Sequence, residues 1–301
     1  MNCALEIVNN SFTENKIRNL AINYIHYKFK NPLNFAYLTD IHYRLFRKDY
    51  CEREKLELQA IIEIIILAAD IMDDLQDGDS KFHPWSEVEL GQNLNIIIGL
   101  LLASLSAVES IISNNQAKCF IRDYIYKLIL KSIDGQQYDL INQIATEGEY
   151  IEMVSLKSGS LILLANIIGA GDVSKEQYQI LERYSNYLGV VAQLRNDVND
   201  LLNSSLKNDL RLKKKTLPII YYLHIEDNKF SSIRNYYNSN NSYESLTHEY
   251  RKNLYETIVQ GGALQYCKVI EQLYIHKFKE CIYSLNLPPS TAKEQLLNIK
   301  I

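Results

Sequence analysis

Residues 56–79 read LELQAIIEIIILAADIMDDLQDGD, and this stretch decides the fold class. Its apolar side chains recur at i, i+3 and i+4 from Leu56 to Met72, which is the period of a buried α-helix. A cluster of aspartates follows, and the pattern stops at Gly78. The stretch therefore predicts a core helix that carries acidic side chains at one end.

Glycine and proline are scarce throughout the chain. Its 301 residues include 11 Gly and 5 Pro, no glycine precedes Gly78, and no proline lies between Pro84 and Pro218. A strand protein of this size needs many more turn residues. We expect an all-α, single-domain helical bundle over residues 1–301, with residues 235–245 as a surface loop. The predicted helices, about ten, cover residues 14–30, 35–47, 52–77, 86–112, 117–145, 149–169, 174–204, 213–224, 243–260 and 262–285, with a short helix after Pro289.

Composition excludes several classes of protein. Net charge is −4, which argues against a nucleic-acid binder. Five scattered cysteines form no CxxC pair, and the histidines show no HxxxH spacing, so neither a disulfide framework nor a zinc site is indicated. The most apolar run, residues 96–103, is too short to span a bilayer. Without a signal peptide at its start, the chain is expected to be cytoplasmic and to have no transmembrane segment.

The first acidic cluster lies within DDLQD (73–77). Asp73 and Asp77 are four residues apart on one helix face, and Asp74 lies beside Asp73. Carboxylates grouped at the end of an apolar helix repel one another and lose hydration. Divalent cations would neutralise them, and oxygen ligands suit Mg²⁺. The alternative is a solvated acidic helix end.

A second acidic cluster lies within GVVAQLRNDVNDLL (189–202). Asn196 and Asp200 are again four residues apart, with Asp197 between them and apolar residues on both sides. Two such patches facing each other across a cavity would grip a diphosphate through metal ions. Lys157, which opens an apolar helix, and the run 213–215 could complete the grip. The combination suggests metal-assisted ionisation of a diphosphate beside a dry apolar cavity.

Six segments, in order, resemble the trans-isoprenyl diphosphate synthases, the polyprenyl synthetase family. DDLQD (73–77) is similar to the first aspartate-rich motif of that family, and NDVND (196–200), preceded by Gln193, is similar to the second. The other similar segments are GQQYDL (135–140), LKSGSL (156–161), DLRLKKKTLP (209–218) and GGALQYCKVIEQLY (261–274). The resemblance runs from about residue 52 to residue 300.

This resemblance implies an isoprenoid synthase-like bundle around a central apolar cavity, two or three Mg²⁺ ions, an allylic prenyl diphosphate as substrate, and a homodimer. Ala69 lies one turn before Asp73 on the same helix face, so it either lines the floor of the prenyl pocket or packs in the core as an ordinary small residue. The predicted catalytic residues are Asp73, Asp74, Asp77 and Asp197. The predicted metal ligands are Asp73, Asp74, Asp77, Asn196, Asp197 and Asp200, and the predicted substrate-binding residues are Lys157, Gln193, Lys214, Gln136 and Ala69.

Departures from the family pattern fall on the acceptor side. The upstream Gly-Gly-Lys-Arg-x-Arg-Pro motif cannot be present, since no glycine precedes Gly78, and SKFHPWSE (80–87) stands where the family has Arg-Arg-Gly. In the second motif Asn196 replaces the leading Asp. The allylic, metal-binding side is largely retained. Chain elongation with isopentenyl diphosphate is therefore not expected.

The branch that the chain most resembles is the Bacillus-type enzymes that prenylate a tryptophan on a competence-pheromone precursor. The resemblance implies transfer of a farnesyl or similar group to a non-diphosphate acceptor, and a peptide tryptophan is the most specific candidate. Three alternatives stay open at this point: a class I terpene cyclase, a chain-elongating polyprenyl diphosphate synthase, and an inactive paralogue that acts as a helical interaction subunit.

Overall fold

The computed structural model describes residues 1–78, 83–112, 114–203, 209–285 and 287–299. Within these ranges all regular structure is helical, which confirms the predicted all-α class. The α-helices are α1 (Asn2–Ser11), α2 (Asn15–Lys28), α3 (Asn34–Phe46), α4 (Glu52–Asp77), α5 (Leu90–Ile111), α6 (Asn115–Ile141), α7 (Glu147–Val154), α8 (Ser160–Ala170), α9 (Lys175–Leu202), α10 (Leu217–His224), α11 (Ser231–Asn238), α12 (His248–Gln260), α13 (Ala263–Ser284) and α14 (Thr291–Leu297).

Two helices were missing from the sequence prediction. α1 buries only Ala4 and Val8, so its apolar pattern is short. α11 lies partly inside the predicted loop 235–245 and is held in place by buried Ile233 and Tyr236. The predicted helix 243–260 begins only at residue 248, after a 3₁₀ turn. In each case tertiary packing outweighs a weak local signal.

Helix α4 divides the core in two. Ile61, Ile62 and Ile65 pack into one apolar cluster with α3, α8 and α9. Ile64 and Leu67 belong to a second cluster with α1, α2 and α5. Because α4 is covered on both sides, its position is determined along nearly its whole length.

The C-terminal end of α4 carries charge against the local preference. The helix stops at Gly78, which adopts a φ of 69° and donates its N–H to the carbonyl of Asp74. The last turn contains aspartates and no basic residue. Negative charge is unfavourable at a helix C-terminus because the helix dipole is negative there. A violation of this kind is typical of a functional site.

Two helical stretches, Leu90–Ile111 and Glu147–Ala170, are long and apolar enough to cross a membrane by length and composition alone. The second is mostly buried, as expected of a core helix. α5 keeps a row of exposed apolar side chains one turn apart, between 43% and 60% accessible: Leu90, Leu94, Ile98 and Leu102. Exposed apolar patches mark contacts with other proteins or with membranes.

A single turn of π-helix, Ser155–Gly159, joins α7 to α8 without breaking the helix path and is called the π-turn below. Two neighbouring helices approach its backbone through glycines. A Cβ at Gly135 of α6 would lie 2.2 Å from the backbone nitrogen of Lys157, and one at Gly189 of α9 would lie 2.6 Å from that of Gly159. π-turns of this kind are frequent at functional sites. The two glycines thus allow α6 and α9 to clamp the segment that carries Lys157.

We expect Gly135→Ala to lower the free energy of unfolding by roughly 1–3 kcal/mol, because the added methyl group meets backbone atoms that cannot rotate away. Gly148→Ala in α7 is the matched control, since a Cβ there meets no atom closer than 3.9 Å. Urea denaturation of both variants measures the difference. An unchanged midpoint for Gly135→Ala would show that the clamp is not tight.

Candidate active site

Two cavities meet between α4, α6, the π-turn and α9. The larger, about 550 Å³, is mainly apolar, and the smaller, about 250 Å³, is mainly polar. Asp73, Lys157, Gln193 and Asn196 line both cavities and form the boundary between them. A ligand with a long apolar tail and a charged head would fit the pair.

The apolar cavity extends from the aspartates back between α4, α5, α6 and α8. Aliphatic side chains such as Ile65, Leu101 and Ile129 line it. Ala68 and Ala69 also line it, and their small side chains leave room beside Asp73. The structure therefore places Ala69 in the wall of the apolar cavity. The volume lies within the range of small-molecule sites, roughly 300–1,000 Å³.

The polar cavity is crowded with charge. Over the described part of the chain, its lining includes six aspartates and three lysines: Asp73, Asp77, Asp139, Asp197, Asp200 and Asp209, with Lys157, Lys214 and Lys215. Negative charge is therefore in excess. Divalent cations would correct that excess.

Three of these carboxylates form the tightest group. Asp73, Asp77 and Asp139 each present one oxygen, and the three oxygens lie within 4.8 Å of one another. Two lysines are inserted among them. Lys157 Nζ donates to Asp73 at 3.0 Å and to Asp139 at 2.9 Å. Lys214 Nζ donates to Asp77 at 2.5 Å.

Neighbouring lysines of the run 213–215 reach different partners because the backbone turns at Lys213. Lys213 adopts a positive φ of 51°. Its Nζ donates to the carbonyl of Ser239 and lies 4.6 Å from the centre of the Tyr236 ring, away from the aspartates. Lys214 instead reaches Asp77 and, at 3.5 Å, Asp139. The structure thus brings the predicted Lys214 to the site.

Asp197 is held by two hydrogen bonds on the opposite wall. It is 4% exposed; the Tyr150 hydroxyl donates to one carboxylate oxygen at 2.6 Å, and Gln193 Nε2 donates to the other at 2.8 Å. Gln193 Oε1 accepts a hydrogen bond from the hydroxyl of Ser158 in the π-turn. Burial raises the pKa of Asp197 to about 6, although the hydrogen bonds act in the opposite direction. A metal ion would favour the ionised form.

The remaining predicted residues divide into two groups. Asn196 and Asp200 line the polar cavity, and Gln136 Nε2 donates to Asp73 at 2.8 Å. Asp74 is placed apart from them. The indole N–H of Trp85 donates to the Asp74 carboxylate at 3.0 Å, and burial raises the pKa of Asp74 to about 6. Its predicted role as a metal ligand stays a prediction.

Three residues of the site were missed in the sequence. Asp139 and Asp209 fall within two of the segments that resemble the family. The prediction from those segments named Gln136 and Lys214 but not these two aspartates. Burial raises the pKa of Asp209 to about 7. Tyr150 stands outside every recognised segment, and its contact with Asp197 spans 47 positions of sequence.

The chemistry of the donors fits Mg²⁺. All the acidic ligands are carboxylates, which is the donor set that hard divalent cations prefer. The two lysines that now neutralise Asp73, Asp77 and Asp139 could exchange these partners for phosphate oxygens. The site can therefore bind a metal–diphosphate head group next to an apolar cavity.

Comparison with known proteins agrees with this geometry. The family model for polyprenyl synthetase matches residues 34–254. Tryptophan prenyltransferase ComQ of Bacillus subtilis (strain 168) is 33% identical over 279 residues, which cover 91% of this chain and 90% of that protein. ComQ of Bacillus spizizenii is 31% identical over 283 residues, which cover 94% of this chain and 98% of that protein.

Solved structures share the fold at low sequence identity. A crystal structure of geranylgeranyl pyrophosphate synthase superposes with a TM-score of 0.79 at 16% identity, covering 98% of this chain and 94% of that one. The synthetase from Pyrococcus horikoshii OT3 gives 0.78 at 19% identity, with coverage of 99% and 96%. With the family match and the ComQ identity, these findings establish that the chain belongs to the polyprenyl synthetase family and is a prenyltransferase.

Proposed function

We propose that this protein ionises an allylic prenyl diphosphate, farnesyl diphosphate or one of similar length, with Mg²⁺ and transfers the prenyl group to a tryptophan side chain of a peptide. The observation that carries the proposal is the pair of joined cavities, which places an acidic, lysine-containing site against an apolar one at Asp73 and Lys157. The identity with ComQ supports the choice of acceptor.

Each cavity has a separate task in this reaction. Asp73, Asp77 and Asp139 on one wall, with Asn196, Asp197 and Asp200 on the other, would hold Mg²⁺. Bound there, the ions would stabilise the charge of the leaving pyrophosphate.

Lys157 and Lys214 would donate hydrogen bonds to diphosphate oxygens, while the apolar cavity holds the prenyl chain away from water. The allylic C–O bond breaks with its electron pair on pyrophosphate, a C–C bond forms to the indole, and the acceptor loses a proton.

Few cations are available near the apolar cavity to bind the diphosphate of a second substrate. In the described part of the chain, the basic residues that line the apolar cavity are Lys157 and Arg195. Arg195 pairs with Glu271 at 2.6 Å. His83 stacks on Trp85, with ring centroids 4.9 Å apart, and Lys81 lies outside the described residues. Burying a second diphosphate without dedicated cations is costly.

Three other functions are alternatives to this proposal. A terpene cyclase would use the same ionisation without an acceptor, and a chain-elongating synthase would need the missing cations. An inactive interaction subunit would have no reason to retain six aspartates around one cavity. Cytoplasmic location and homodimer formation stay predictions.

We expect turnover to require Mg²⁺ and to fall by about 10³-fold or more in Asp73→Ala, because transition-state stabilisation worth several kcal/mol is lost with a metal ligand. Asp123→Ala is the control, since that side chain is 68% exposed on α6. The assay measures pyrophosphate release with and without EDTA. Undiminished release in EDTA would contradict the metal assignment.

Asp197 should make the metal-free protein pH-sensitive. Its folded-state pKa of about 6 lies above the ordinary value of 3.8, so the folded state binds the proton more tightly. Stability from this group is therefore present at low pH and is lost as the pH rises from about 4 to about 6.

In the presence of EDTA, we expect the unfolding free energy of wild type to fall relative to Asp197→Asn by roughly 3 kcal/mol over that range. Urea denaturation at several pH values checks this expectation. A difference between the two proteins that is independent of pH would contradict it.

Product analysis separates the candidate reactions. With farnesyl diphosphate and a tryptophan-containing peptide we expect a peptide heavier by one prenyl group, because the acceptor side favours an uncharged nucleophile. Farnesyl diphosphate with isopentenyl diphosphate should give little elongated product. A hydrocarbon or terpene alcohol from farnesyl diphosphate alone would instead favour the cyclase, and efficient elongation would favour the synthase. Mass spectrometry of the three reactions measures all these products.

A further inference from the structure

Lys28, at the end of α2, is bound by two carboxylates beside the apolar cavity. Its Nζ donates to Asp70 at 2.7 Å and lies 3.7 Å from Glu63 Oε2. Glu63 is 1% exposed, and its other oxygen accepts the backbone N–H of Ala36 at 2.7 Å. The Oε2 atom of Glu63 has no hydrogen bond in the structure. Lys28 is therefore the cation that compensates this buried carboxylate.

Asp70 stands between this lysine and the cavity. Asp70 lines the cavity, three residues before Asp73 and four before Asp74, so all three lie on one side of α4. The lysine is not part of the lining. With two carboxylates for one ammonium group, the trio formed by Lys28, Glu63 and Asp70 carries net negative charge. An anion entering from this side would meet Asp70 first and find the ammonium group already bound.

We propose that Asp70 determines acceptor specificity by keeping Lys28 from binding a phosphate group, which reserves this side of the cavity for an uncharged acceptor. This inference rests on the proposed function, because it concerns the choice between an indole and a diphosphate-bearing acceptor. Like-charge juxtaposition against the wrong partner is a general means of specificity.

The trio provides a cation that the sequence analysis did not find. Sequence alone showed that the basic acceptor motif was missing, but it did not show that a lysine was available nearby. The structure supplies the lysine and also the carboxylate that occupies it. Removing the charge of Asp70 should therefore leave the ammonium group of Lys28 with Glu63 as its remaining carboxylate, so that it can bind a phosphate oxygen without any new basic residue.

The test is Asp70→Asn, which keeps the shape of the side chain and removes its charge. With an allylic diphosphate and isopentenyl diphosphate, we expect at least a tenfold increase in elongated diphosphate over wild type. Asp227→Asn is the matched control, because it removes the carboxylate of an exposed Lys–Asp pair with Lys229 at 3.2 Å. The control should leave the amount of elongated product unchanged.

A double variant tests the role of the lysine. Lys28→Met in the Asp70→Asn background should abolish the gain, whereas a gain that persists would overturn the assignment to Lys28. Asp70→Ala provides the same comparison should the asparagine variant not fold. No increase in elongation in a folded variant would also overturn the proposal.

Two further measurements separate this inference from the proposed function. Pyrophosphate release from the allylic substrate alone reports ionisation, and its loss in Asp70→Asn would assign Asp70 to the ionisation site and overturn its role in acceptor choice. Peptide prenylation by wild type reports the proposed function directly, so its failure is visible without any Asp70 variant.

Discussion

The rest of the site depends on one constraint: carboxylates at the end of a buried helix are held close to other carboxylates, although they repel one another. Six aspartates around one cavity cannot all stay ionised without cations, and in the described part of the chain three lysines line that cavity. Apolar packing on both sides of α4 holds the repelling groups in place, because the helix cannot shift without exposing its core side chains. Burial raises the pKa values of Asp197 and Asp209, and repulsion from neighbouring carboxylates acts in the same direction. Metal ions bound between the carboxylates would relieve this repulsion.

The lysines reach this cavity through irregular backbone. Lys157 comes from a π-turn clamped between Gly135 and Gly189, and Lys214 follows a residue with positive φ. Neither the π-turn nor the positive φ before Lys214 occurs in a regular α-helix. The cations that oppose the aspartates are thus placed by local distortions that the surrounding helices support. This explains why the site sits where α6, α9 and the π-turn meet.

Two sets of lysine–carboxylate contacts beside the apolar cavity differ in how the lysines are paired. Near Asp73 the lysines are bound to carboxylates that metal ions could take over, so their hydrogen bonds can be transferred to a substrate. On the other side of Asp70, Lys28 donates a hydrogen bond to that carboxylate and lies 3.7 Å from the buried carboxylate of Glu63. In our proposal the first set of hydrogen bonds can be exchanged, whereas the second persists as long as Asp70 keeps its charge, and this difference favours one diphosphate over two.

Sequence by itself determined the helical class, the core helix α4 and most of the residues of the site. Helical periodicity, the scarcity of glycine and the spacing of aspartates are local properties, and they predicted Asp73 and Asp77 at one site with Lys157 as a partner. Lys214 was predicted from the resemblance to the family. Only the tertiary structure decided that Asp139 joins them, that Asp74 turns to Trp85, and that Asp70 occupies Lys28. The physical reason is that these contacts join helices far apart in sequence, and their partners are selected by packing and charge in three dimensions.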